Sequence, residues 1–211
     1  MSDSADPMPR ALTTKGEARR LRLLEVASQL LLELGYAQTS IQRIVQQAGG
    51  SAATAYQLFG SKEGMLAAVL QFELDNLRAA VFLKAPPGQA VGPALHQLAV
   101  RLLTYAVQPK SAALHRLLVS ECHRMPQLAA SLQQAVDTQI HAPLEQCLRA
   151  ACEQGELKID DPRQAALTLG NLINGIAFHA RLVGGYADGP PAEALATCHY
   201  GIDTLLRAYQ V

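Results

Sequence analysis

Glycine and serine cut the stretch between Gly35 and Ser61 into two pieces of about two helical turns each, and this punctuation limits the fold more than any other feature of the chain. In the first piece Ile41, Ile44, Val45 and Ala48 recur at helical spacing on one side, Thr39 and Gln42 have capping-box spacing, and Gly49 with Gly50 stops the helix. Ser51 can cap the second piece, which turns Ala55, Leu58 and Phe59 inward and ends at Gly60.

The flanks are longer helices. Leu23, Ala27, Leu30, Leu31 and Leu34 form an apolar stripe on a helix that begins near Lys15 and stops at Gly35. Ser61 caps another that runs through Leu66, Val69, Leu70, Phe72, Leu77 and Val81 and is closed by Pro86, Pro87 and Gly88. Further helices are expected at about 92–107, 111–124, 126–154, 162–183 and 191–209, with Pro143 kinking the third of these or dividing it. No strand pattern competes, so the expected fold is all-α. Residues 1–14 hold Ser, Asp and two Pro with little to bury and read as a disordered arm.

At 211 residues and 49% hydrophobic content, the chain makes one or two ordinary domains with enough apolar material for a real core. Its four cysteines, Cys122, Cys147, Cys152 and Cys198, show no CxxC spacing, and no leading apolar run resembles a signal peptide, so a reducing cytoplasmic location is expected. No apolar run approaches the roughly 20 residues of a membrane span. The zero net charge hides an asymmetry: residues 10–62 carry seven basic and three acidic side chains, while residues 63–211 carry 11 basic and 13 acidic. A basic head on a mildly acidic body suits a polyanionic partner.

Two short helices joined by Ala48-Gly49-Gly50 have the dimensions of a helix-turn-helix, whose second helix enters the major groove of DNA, and equally those of a helical hairpin in a bundle. The run GYAQTSIQRIVQQAGGSAATAYQLFGSKEGML, Gly35 to Leu66, resembles the DNA-binding domain of TetR-family transcriptional regulators. The matching features are Gly35-Tyr36 before Thr39-Ser40, then Ile41, Ile44-Val45 and Ala48-Gly49, then Ser51, Thr54, Tyr56 and Phe59, and last Ser61-Lys62-Glu63. The chain departs from the usual pattern at Gly50, Ala52, Ala55 and Gly60, where Val, Lys or Arg, Leu or Ile, and Pro are common.

Within that motif, Thr39, Ser40, Tyr56 and Lys62 carry hydroxyl or ammonium groups at helix starts or outward faces, suited to phosphate oxygens. Ser51, Thr54 and Gln57 fall on the exposed side of the second short helix, where Gln can pair with adenine and Thr can meet a thymine methyl. Arg43 could reach a guanine or a phosphate.

The second half offers less. His115, Cys122 and His123 invite a metal or ligand reading, but their spacing lacks the i, i+3 or i, i+4 relation that places ligands together on a helix, so no metal is expected. No Gly-x-Ser-x-Gly, Walker loop or His-Glu-x-x-His is present, and no cofactor or catalysis is expected. The stretch Leu117 to Leu128, with Gly155, Leu157 and Asp161-Pro162, looks like the effector domain of an AefR-like TetR subgroup. Small residues recur along the last two helices, which allows close packing within the chain or across a two-fold interface.

The resemblance implies a homodimeric regulator, most simply a repressor, with a helix-turn-helix domain over 15–60 and an effector-binding and dimerisation domain over 61–211. A palindromic operator would be its DNA partner, and a small hydrophobic or amphipathic ligand would release it. Tyr105, His115, Cys122, His123, Asn174, Phe178 and His179 are the candidate pocket residues. Ala166, Gly170, Ile173, Ala194, Cys198, Gly201 and Leu205 are the candidate dimer contacts. The competing reading is an all-α enzyme or carrier for a hydrophobic molecule; a di-metal bundle would need Glu-x-x-His pairs, and Glu121 is followed at that spacing by Arg124.

Overall fold

The computed structural model describes residues 14–82 and 90–210, and over them the regular elements are helices joined by turns and short loops, with one isolated bridge between Leu157 and Gln210. The expected arm, and the Pro86-Pro87-Gly88 stop, lie outside the described residues except for Thr14.

Helix α1 spans Thr14–Gln38, with Gly35 at φ 79° marking the true end of its regular part. Leu23, Leu24, Ala27, Leu30 and Leu31 form its buried stripe. Helices α2 (Ile41–Ala48) and α3 (Ala52–Phe59) are the two short pieces, and α4 runs Lys62–Val81. Each of these three is capped by a serine hydroxyl that accepts from the amide three residues on: Ser40 from Arg43, Ser51 from Thr54 and Ser61 from Gly64. The cap of α2 is therefore Ser40 and not Thr39.

The rest comprises α5 (Val91–Ala106), α6 (Pro109–Glu121), α7 (Pro126–Val136), α8 (Ala142–Glu153), α9 (Pro162–Val183) and α10 (Ala192–Tyr209). Between α7 and α8 the chain forms a π-helical turn over Asp137–His141. Pro143 explains it: having no N–H, it cannot serve the carbonyl one turn back, and the helix widens so that the Ala142 amide bonds to Asp137 O instead. The expected kink is thus a local change of helical pitch.

Two cores organise these helices. One gathers Leu23 to Leu31, Ile41, Ile44, Val45, Ala55 and the first half of α4 (Met65, Leu66, Val69, Leu70), and is sealed by Leu117 of α6 and Leu128 of α7. The other gathers Val81 at the end of α4 with Leu95, Leu98, Leu103, Leu144, Leu148, Leu169, Cys198 and Ile202. Helix α4 is therefore shared, its start packed in the head and its end in the body.

Candidate nucleic-acid interface

The head presents α3 with only Ala55 fully buried, so most of this two-turn helix remains available. Ser51, Tyr56 and Gln57 are exposed and Thr54 half-exposed. Ser51 Oγ also lies 3.0 Å from Thr54 Oγ1, which orients both hydroxyls at the helix start. On α2, Ser40 and Arg43 are exposed beside it. Ser40 and Ser51 thus mark two exposed helix N-termini, and Tyr56 and Gln57 stand exposed farther along α3, groups suited to docking on a phosphate backbone and to placing α3 in a groove.

Lys62 is held in place more firmly than its chemistry alone suggests. Its ammonium stands 4.2 Å from the centre of the Tyr36 ring and donates to Ala37 O at 3.4 Å, while the Tyr36 hydroxyl donates to Glu63 at 2.9 Å. Burial, and then the bond and charge of Glu63, push the Tyr36 hydroxyl pKa above its usual value; backbone and Ser61 hydrogen bonds, with Tyr36, hold Glu63 below its own. The start of α4 is thereby stitched to the loop that precedes α2.

Thr39 corrects the expectation of a phosphate contact. It is 1% exposed and its hydroxyl is engaged with Leu30 O and Gly35 O at 3.1 and 2.9 Å, closing the α1–α2 corner from inside. Threonine's methyl suits burial, and its hydroxyl satisfies carbonyls left open where α1 ends.

The candidate pocket residues divide. Tyr105, His115 and Cys122 are half-buried, whereas His123, Asn174, Phe178 and His179 are exposed on the described surface. Arg181 acts on two of them: its guanidinium donates to Asn174, and its charge, second to burial, lowers the His115 pKa. Phe178, at 55% exposed, and His179, paired with the Tyr186 hydroxyl at 3.0 Å, do not join that cluster.

The candidate dimer contacts need a similar correction. Ala166, Ile173 and Cys198 are buried within the protomer, and Ala194 and Leu205 pack against the same core. A Cβ at Gly170 would meet the His141 ring at 3.2 Å, and one at Gly201 would come within 2.3 Å of Leu172. These small residues let helices of one chain approach one another. The outward faces of α9 and α10 carry Phe178, Leu182 and Tyr200 instead.

Sequence reasoning passed over Glu73, which is 2% exposed at the junction of the two cores. Ser28 donates to it at 2.5 Å, Lys110 pairs with it at 2.8 Å, and the Tyr105 hydroxyl donates to its backbone oxygen at 3.4 Å. Burial, then the Glu73 charge, pushes the Tyr105 pKa up to about 12. The available signal was a carboxylate in the apolar stripe of α4, one turn from both Val69 and Leu77.

Comparison with known proteins agrees with this architecture. The family model described as bacterial regulatory proteins, tetR family, matches residues 23–69, and that of the AefR-like transcriptional repressor C-terminal domain matches residues 93–211. The HTH-type transcriptional regulator BetI 2 of Chromohalobacter salexigens is 27% identical over 197 residues, 90% of each chain. The crystal structure of a TetR-family regulator from Mesorhizobium loti matches with a TM-score of 0.82 at 24% identity, covering 94% of this chain and all of its own. The flavonoid-responsive regulator FrrA matches with a TM-score of 0.73 at 28% identity, over 92% of this chain and 98% of its own. Since the C-terminal family model alone spans more than half of the sequence, the chain belongs to the TetR family of transcriptional regulators, with an AefR-like C-terminal domain.

Proposed function

We propose that this regulator is a homodimeric repressor that places one α3 from each protomer in successive major grooves of a palindromic operator and leaves it when a small hydrophobic or amphipathic ligand binds among α5 to α9. The observation that carries the switch is the double membership of α4. Lys62 and Met65 at its start belong to the head, and Leu77 and Val81 at its end pack with the body, so displacement of one end must be felt at the other. At about 1.5 Å per residue its 20 residues make a lever of roughly 30 Å.

The dimer is supported by the apolar side chains left uncovered on α9 and α10, Phe178 at 55%, Leu182 at 65% and Tyr200 at 69% exposed. A two-fold axis through this face would set two copies of each helix side by side and hold the two heads at a fixed separation. No helix among the described residues is long and apolar enough to cross a membrane.

Selection of bound duplexes from a random library tests the DNA half: inverted half-sites about one helical turn apart are expected, and a single asymmetric site would overturn the dimeric reading. Hydrophobic compounds that raise the melting temperature in a screen test the switch. Titrated with and without the selected operator, they should bind more weakly in its presence, and equal affinities would overturn ligand release.

A further inference from the structure

We propose that Arg19 of α1, seated over Gly50, supplies a DNA-phosphate contact at the turn between α2 and α3, and that position 50 is glycine because the seat requires it. The proposal rests on the DNA-binding role of the family and extends it to a helix outside the helix-turn-helix.

Helix α3, AATAYQLF, carries no lysine or arginine, so any cation that meets phosphate near its start must come from another element. Lys62, held by Ala37 O and the Tyr36 ring, serves the start of α4, and Arg43 stands exposed on α2. Arg19 reaches over from α1. A Cβ built at Gly50 would lie 1.5 Å from Arg19 Nη2, 2.6 Å from Cζ and 3.1 Å from Nε. Any side chain there would displace the guanidinium, and the φ of +122° at Gly50 independently favours glycine.

Two observations say what the seated group is for. Arg19 Nε is buried and has no hydrogen-bond partner, and no carboxylate pairs with this guanidinium among the described residues. The same side chain lines a groove of about 550 Å³ with Lys15, Arg22 and Thr54, and no acidic residue lines it. The groove joins the start of α1 to α3, with three cations along it. A planar donor fork without an acid, set where α3 would approach DNA, suits a phosphate oxygen pair. Because the guanidinium lies against the backbone of the turn, it does not project along α3 toward base edges, and its contribution is to affinity and register.

The test is equilibrium binding of wild type, Arg19→Met, Gly50→Ala and the double variant to a random-sequence duplex and to a selected operator, across a range of salt. Arg19→Met keeps the apolar stem and should keep the melting temperature. It should weaken binding to both duplexes about tenfold and lower the salt slope by about one per bound protomer, with base preference unchanged. In the Gly50→Ala background, where the seat is already filled, Arg19→Met should cost less than twofold. A wild-type salt slope in Arg19→Met, or a change in base preference, would overturn the proposal. Wild-type protein binding neither duplex would overturn the DNA-binding reading itself, and this inference with it.

Discussion

Ser28 Oγ donates to the Glu73 carboxylate across 45 residues of sequence at 2.5 Å, and from the other side the Lys110 ammonium approaches the same carboxylate at 2.8 Å. This buried tie joins α1 of the head to α4 and, through Lys110, to α6. A carboxylate in that position is tolerated only while its partners remain, because removing one leaves a charge that water does not reach. Lys110→Met should therefore destabilise the protein by about 2 kcal/mol, below the figure for a fully buried pair because Lys110 is half exposed. Adding Glu73→Met should restore most of the loss. Urea denaturation of the three proteins checks this; a double variant less stable than Lys110→Met alone would mean that the carboxylate itself holds the helices together.

Thr39 and Lys62 both belong to the DNA-facing head and should respond in opposite ways. Thr39→Val removes bonds to Leu30 O and Gly35 O and is expected to cost about 1–2 kcal/mol of stability while leaving DNA affinity per folded molecule unchanged. Lys62→Ala should leave stability nearly intact and weaken binding to all duplexes alike, whereas Gln57→Ala on the exposed side of α3 should relax preference at particular base pairs. Binding isotherms on a substituted operator series, corrected for folded fraction, distinguish the three.

Gly170 and Gly201 are predicted to matter inside the protomer. Gly170→Leu drives a side chain into the His141 ring and Gly201→Leu into Leu172, so each should cost about 1–3 kcal/mol before any effect on association. Phe178→Asp and Tyr200→Asp, on exposed surface, should instead leave the melting point of the separated protomer unchanged and yield monomers in sedimentation. A Phe178→Asp, Tyr200→Asp protein that still sediments as a dimer would place the interface elsewhere.

These cases show where sequence stops being informative. Serine caps and glycine stops act within four residues, so Ser51, Ser61, Gly35 and Gly60 were legible, as were the helices of the head that they bound. A capping pattern one residue out of register misassigned Thr39, because Thr39 and the adjacent Ser40 could both serve as caps. Small residues announce a close helix approach but not the partner, since Gly201 facing Leu172 leaves the same pattern as a glycine facing a second copy. Long charged side chains hide most: the reach of Arg19 to Gly50, and of Lys110 to Glu73, depends on how helices distant in sequence are packed. Pro143 lies between these extremes, its missing donor being certain and the π turn only one of the ways to absorb it.

That π turn also gives the body an acid-sensitive point. Asp137 Oδ1 lies 2.7 Å from His141 Nδ1, one turn away, and Arg163 of α9 stands 3.9 Å from the other carboxylate oxygen. The hydrogen bond from His141, then its charge and that of Arg163, hold the Asp137 pKa below its usual value against the opposing effect of burial. A carboxylate whose pKa is lower folded than unfolded favours the folded state above the unfolded value, and that contribution disappears as pH falls through the folded value. Wild-type stability should accordingly decline from about pH 5 downward through the carboxylate range. Asp137→Asn should be less stable than wild type at pH 7 and should approach it as the pH is lowered to about 3. Urea midpoints measured for both proteins across that interval decide the matter: a difference that stays constant with pH would show that Asp137 acts through its shape and hydrogen bonding, not through its charge.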